Sequence, residues 1–172
     1  MSLMQTLMNG QAVSRVRRNH GLEHATLHVL SEHHPHGSFA GHSDTEGFWI
    51  VGDVSTEAVE DAVNAALDRL RAGEKELAVH PNCGTNFVAS GFIAGIAAWL
   101  GMLGGDRGMR SKLERIPIVI SLTTIALFIA QPIGMMLQAR VTTSGEPGGL
   151  RVTQILATNQ GRFPAHRVLT NG

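Results

Sequence analysis

Two stretches of this chain carry no charge at all, and they restrict its fold more than anything else in it. Thr85 to Gly105 runs 21 residues and Ile116 to Ala139 runs 24 without Asp, Glu, Lys or Arg. A helix needs roughly 20 apolar residues to cross the hydrocarbon core of a bilayer. The ten residues DRGMRSKLER between the runs make them a transmembrane helical hairpin joined by a basic loop. The alternative, two buried helices of a soluble core, is disfavoured because such helices seldom run so long uncharged. Gly91 and Gly95, with Ala94 and Ala98 beside them, give the first run a small-residue face suited to the partner helix or to a second subunit in a homo-oligomer. In the second run, Pro132 is expected to kink the helix and Gln131 to need a polar partner.

Charge divides the chain. Residues 1–84 sum to −5 and residues 85–172 to +5, which places the halves in different surroundings and leaves a net charge of zero. No nucleic-acid partner is expected. The single cysteine, Cys83, excludes an intramolecular disulfide framework. The opening MSLMQTLMNGQAV has no signal-peptide pattern. Its Leu3, Met4, Leu7 and Met8 suit a short helix at a membrane surface or docked on the core. Arg107, Arg110, Lys112 and Arg115 argue for a cytoplasmic hairpin loop, whereas Arg140, Arg151 and the missing signal argue for cytoplasmic termini. The second orientation is the expectation, in a multi-pass protein of the bacterial inner membrane.

Around the hairpin the pattern is α+β. Val13 to Glu32 reads as a helix, and SFAGHSDTEGFWIVG as two strands around a turn at Ser43 to Gly47. Ser55 is the expected N-cap of a helix over Thr56–Ala72, with Val59, Ala62, Val63, Ala66, Leu67 and Leu70 on one face and Gly73 as its stop. ELAVH is expected to be a short strand or extended run delivering His80 to the membrane edge. RVTTSGEPGGLRVTQI suggests a strand pair and AHRVLT a third strand. The expected division is an α+β domain over 1–84, two transmembrane helices over 85–139 and a basic tail with short strands over 140–172.

The chemistry concentrates in RRNHGLEHATLH. With about 100° per residue, His20, Glu23 and His24 share an arc of about 100°. Imidazoles at i and i+4 reach one ion, and the adjacent carboxylate can act as general base on metal-bound water, the H-x-x-E-H arrangement of inverted zincins. His80-Pro-Asn-Cys83 adds an imidazole and the only thiol at the entrance to the first run, and thiolate with imidazole is a donor set that suits zinc. Against this stand plainer readings: Cys83 as a small buried hydrophobe, His80 as an interfacial polar residue, and three polar residues on a solvated helix face. His33, His34, His36 and His42 lie in a polar loop and read as solvated, and His28 as peripheral. The carboxylates of DTE and EAVED read as a solvated face.

HGLEHATL, HPNCGTNF and LQARVTTSGEP, in this order, resemble segments of the YqhQ-like bacterial membrane proteins, an uncharacterised family described as predicted metal-dependent enzymes. The matching positions are His20, Glu23, His24, His80, Cys83, Gly84 and Thr85, and later Gln138, Thr142, Thr143, Glu146 and Pro147. The chain departs from that pattern at Ala25, where the family has lysine, in a spacing from Thr143 to Glu146 one residue longer, and in a shorter membrane region. The resemblance implies a shared metal constellation.

Together these readings make the chain an integral-membrane zinc-binding protein, a hydrolase acting at the membrane surface. His20, His24, His80 and Cys83 are the expected ligands, of zinc or another divalent transition metal, and Glu23 the base. Glu146, Gln138, Thr142 and Thr143 are expected to support the ligands. Membrane lipid is the expected surrounding, and a lipid, peptide or membrane protein the substrate. The rival is a non-catalytic accessory or assembly subunit with a structural metal, since four protein ligands close a tetrahedral site.

Overall fold

A computed structural model describes residues 10–104 and 108–172. The expected helix around Leu3–Met8 and the loop residue Arg107 lie outside the described residues. The chain forms two compact units, Met1–His80 with Ala139–Gly172, and Pro81–Gln138.

The first unit opens with helix α1, Gln11–His33, two residues longer at its start and one at its end than its pattern predicts. Strands β1 (Ala40–Ser43) and β2 (Gly47–Val51) pair antiparallel around a turn held by Asp44, whose Oδ1 accepts from the amides of Glu46 and Gly47 at 2.8 and 3.1 Å. Helix α2 spans Thr56–Ala72. The Ser55 hydroxyl accepts from the Ala58 amide at its start, and Gly73 ends it at φ +104°, a left-handed conformation that glycine adopts without strain. All six residues of its predicted apolar face are buried.

Two expectations fail in this unit. Residues Lys75–Ala78 form a 3-10 turn rather than a strand, because Glu74 and Glu76 carbonyls capture the amides of Leu77 and Val79 locally. Residues 140–142 are not a strand either: Gln138–Thr142 is a π-helical turn. Strands β3 (Arg151–Gln160) and β4 (Phe163–Asn171) then form a hairpin, and β4 also pairs with β2 in a four-stranded antiparallel sheet of order β1-β2-β4-β3. The region expected as a separate tail thus completes the N-terminal sheet. The reason is physical: β2 alone would leave an open edge, and Val168 and Leu150 supply apolar surface that Phe48 and Ile50 lack as neighbours. Phe48, Ile50, Leu150 and Val168 are all fully buried, in one core with Leu22, Val29 and Leu30 of α1 and the apolar face of α2.

The second unit holds helices α3 (Gly84–Met102), α4 (Met109–Glu114) and α5 (Ile116–Leu137), with α3 and α5 packed together. The close approaches are not at Gly91 and Gly95, which face open space. They are at Gly101, where an added Cβ would stand 3.2 Å from the Val119 backbone, and at Gly134, where it would stand 3.1 Å from the Asn86 Cα. Gln138 Nε2 donates to Asn86 Oδ1 at 2.6 Å, both side chains buried. Phe87, Phe92, Trp99 and Phe128 are each more than 60% exposed. Gln131 is exposed, and α5 continues through Pro132. Both long helices are long and apolar enough to cross a membrane.

Candidate metal centre

Along α1, His20, His24 and His28 follow at four-residue spacing, and each ring meets a backbone carbonyl of another segment. His20 Nδ1 lies 3.0 Å from the Thr142 oxygen, His24 Nδ1 2.9 Å from that of Ala78 and His28 Nε2 3.0 Å from that of Val79. A carbonyl only accepts, so these ring nitrogens carry the protons. In the neutral ring the opposite nitrogen, Nε2 of His20 and His24 and Nδ1 of His28, then presents a lone pair. Metal-binding histidines are oriented in this way, with the second nitrogen donating to a carbonyl or carboxylate.

The rings form a row. His20 and His24 centroids are 4.4 Å apart, His24 and His80 5.7 Å, and His28 and His80 5.0 Å. His20 and His24 offer ligand atoms within 4.8 Å of each other, close enough to share an ion. Burial first, then the neighbouring His28 and His24, push the His80 imidazole down to about 4, so it is neutral near pH 7. His28, which its helical angle places at the edge of the face, belongs to this row.

Glycines admit the frame. An alanine Cβ at Gly21, between His20 and Leu22, would stand 2.1 Å from the Ser144 carbonyl oxygen and 3.3 Å from the Ala78 Cβ. Only a bare Cα lets both carbonyl-bearing segments approach α1. At Gly41 of β1 a Cβ would meet Glu23 Oε1 at 2.6 Å, so this glycine makes room for the carboxyl. Asn19, fully buried, donates to the Asp44 carbonyl at 2.9 Å and accepts from the Thr170 hydroxyl at 2.7 Å, tying α1 to the β1–β2 turn and the adjoining end of β4. None of the three was singled out from sequence. A glycine inside a helix, at a cost of about 1 kcal/mol relative to alanine, was the available signal for Gly21.

Glu23 lies almost wholly buried and accepts from the Ser43 hydroxyl in a short hydrogen bond. Burial raises its carboxyl above the ordinary range, against the lowering effects of Ser43 and of His20. Its surroundings thus make the carboxyl harder to ionise than that of an exposed glutamate.

The expected supporting residues divide. Thr142 reaches the site through its backbone carbonyl, whereas the carbonyl of the buried Thr143 holds Arg17 at 3.0 Å instead. Glu146 is exposed and pairs with Lys75. Gln138 bonds Asn86 inside the second unit. Cys83, also of the second unit, is buried at the N-cap of α3, three residues beyond His80. His33, His34, His36 and His42 are exposed as expected, although His33 ends α1 and His42 lies in β1 rather than in the loop. His166 stands apart, its Nε2 3.1 Å from the Thr56 hydroxyl.

Residues 15–155 match a family model described as a domain of unknown function, DUF6391. The chain belongs to this family. The DUF6391 match takes in all of the histidine row and both long apolar helices. An uncharacterized protein of Picosynechococcus sp. (strain ATCC 27264 / PCC 7002 / PR-6) is 40% identical over 98 residues, 49% of this chain and 48% of that protein. The match thus spans about half the length of this curated relative. No solved structure matches the chain.

Proposed function

We propose that this DUF6391 chain is an integral-membrane metal-binding protein of the bacterial inner membrane, and that its metal serves hydrolysis at the membrane surface. The observation that carries the reading is the orientation of His20 and His24, each with Nδ1 turned to a backbone carbonyl, the contact that orients metal-binding imidazoles. Cys83 is the third ligand in this reading. It lies three residues beyond His80, hence within about 11 Å of it along any path, and its thiolate completes a donor set that suits zinc. An ion held by these three residues would keep a position open to water and would supply the activation of that water. Glu23 would serve as the base beside it, and its raised carboxyl suits a group that must both accept and return a proton. The same positions carry the resemblance to the YqhQ-like proteins. The two long helices and their exposed aromatic residues support the membrane location. The substrate is then a lipid, peptide or membrane-protein bond presented at that surface.

One observation favours a second reading. The Glu23 carboxyl is buried against Ser43, as a group would be that stiffens α1 against β1 around a structural metal. Three variants separate the readings, each assayed for metal per chain and for function in cells lacking the native copy. Under the hydrolase reading Glu23→Gln keeps its metal and loses function, while His24→Ala and Cys83→Ser lose the metal. A Glu23→Gln protein with full metal and full function ends the hydrolase reading and leaves the structural one. Metal retained in His24→Ala ends both.

A further inference from the structure

We propose that the cavity walled by Arg17, Lys75 and Ser144 binds a phosphate group, with Arg17 as its principal cation. None of the histidines lines this site, although Ala78 and Val79, whose carbonyls meet His24 and His28, do. It does not depend on the metal reading. The cavity has a volume of about 380 Å³, within the size range of small-ligand pockets. Arg17, Lys75, Val79, Thr143, Ser144 and Glu146 line it.

The argument begins with an unbalanced charge. Arg17 Nη2 donates to the carbonyl oxygens of Arg140 and Thr143 at 3.1 and 3.0 Å, two neutral acceptors that fix the guanidinium without cancelling its charge. Among the described residues Arg17 makes no ion pair. Its Nε–H is buried without an acceptor. That buried donor leaves the guanidinium charge with no counter-charge, and an anion against its cavity-facing side would supply one. Because the guanidinium is already held, little ordering entropy opposes binding.

The facing wall already takes an anion. Lys75 pairs with Glu146, an exposed pair of the kind that contributes little to stability and exchanges readily. Ser144 Oγ accepts from the Glu146 amide at 3.2 Å, so the Ser144–Glu146 turn holds that carboxylate at the rim. The three charged linings sum to +1, which favours an anion over a cation or a neutral group. Phosphate suits the pair because it offers several oxygens, one set for a planar guanidinium and one for a point-charge ammonium. Ala139, also on the cavity wall, lies two residues beyond the end of α5. If α5 crosses a membrane, the phosphate of a lipid headgroup and free phosphate are both within reach of the site.

The test uses the full chain in neutral detergent micelles, titrated in one arm with inorganic phosphate and in the other with phosphatidic acid against equal diacylglycerol. Saturable binding is expected in at least one arm. Binding of phosphatidic acid alone marks a headgroup site, and binding of inorganic phosphate marks a soluble-anion site. In the arm that binds, Arg17→Gln should weaken affinity by about tenfold, the effect of losing one charge-assisted contact, while Arg17→Lys keeps most of it. Glu146→Gln should tighten binding severalfold by removing the competing carboxylate. If Arg17→Gln does not fold, Lys75→Gln at an exposed position replaces it, with a severalfold loss expected. Absence of saturable binding in both arms overturns the proposal. So does unchanged affinity in Arg17→Gln, or in Lys75→Gln where it stands in, or weaker binding by Glu146→Gln.

Discussion

The two units of this chain place their large apolar side chains on opposite sides. In the α+β unit Phe48 and Ile50 are fully buried, and buried polar side chains such as Asn19 and His24 are hydrogen-bonded, the Nε–H of Arg17 being an exception. In the hairpin unit Phe87 is 67% and Phe92 70% exposed, while the side chains of Asn86 and Gln138 are buried and bonded to each other. One rule produces both: apolar groups seek apolar surroundings, and polar groups taken from water need partners. What differs is the surroundings. Hidden amides and displayed phenylalanines are what a solvent other than water would favour, and that is the physical content of the membrane proposal.

The sharpest way to break the comparison is to delete one phenylalanine from each unit. Phe48→Ala should cost about 3–5 kcal/mol, the usual result of emptying a packed core position. Phe87→Ala should change the melting of detergent-solubilised protein little, because that ring fills no protein interior. Equal losses, read by thermal denaturation, would show that both units pack in the same way.

A charge asks the same question from the other side. Phe92→Arg should disfavour membrane insertion by about 3 kcal/mol, the scale for a charge near the centre of a spanning helix. On a water-exposed face the same change would fall within about 0.5 kcal/mol. The measurement is the fraction of chain that resists an alkaline wash of membranes.

Within the α+β unit, Gly21→Ala tests the junction that carries the histidine row. The added methyl meets a backbone oxygen, which has no rotamer by which to retreat, so a loss of about 2–3 kcal/mol is expected. Bound metal should fall with it, since ligand geometry and folding are coupled. A variant that melts normally and keeps its metal would show that the Ser144 segment is free to move.

The smallest effect is electrostatic. Burial alone would raise the Asp44 carboxyl, but the Arg167 guanidinium at 2.8 Å and the amides of Glu46 and Gly47 outweigh it and hold the carboxyl below its ordinary value. A depressed carboxylate stabilises the fold fully above its unfolded value, near 3.8, and loses that contribution as pH falls through the folded one. Asp44 is 45% exposed, so the contribution is under about 1 kcal/mol. The stability gap between the native chain and Asp44→Asn should therefore be constant above about pH 5 and close as pH falls below 4. A gap that widens on acidification would reverse the assignment.

How much of this was legible beforehand depended on the distance over which each feature is decided. Ser55, Gly73 and the buried face of α2 were readable because capping, a left-handed stop and a 3.6-residue period are local. The His20–His24 pair was readable for the same reason. The ELAVH segment was not, since a run of five residues does not distinguish a 3-10 turn from a strand until its carbonyls find partners. Gly91 and Gly95 do not meet α5: small-residue spacing shows where a helix can be approached, by its partner helix or by a second subunit, whereas α3 and α5 come close at Gly101 and Gly134.

By itself the sequence determined that there would be two long uncharged helices and two amphipathic or histidine-bearing ones, because periodicity and charge act within a single element. Only the tertiary structure decided that β4 would join β2 to complete the sheet. It also brought the carbonyls of Ala78, Val79 and Thr142 to the histidines from as far as 122 residues away in sequence. Those carbonyls belong to the backbone, which every residue type supplies alike. No residue identity marks which of them will face an imidazole, and their placement follows only once Gly21 lets two distant segments close on the same helix.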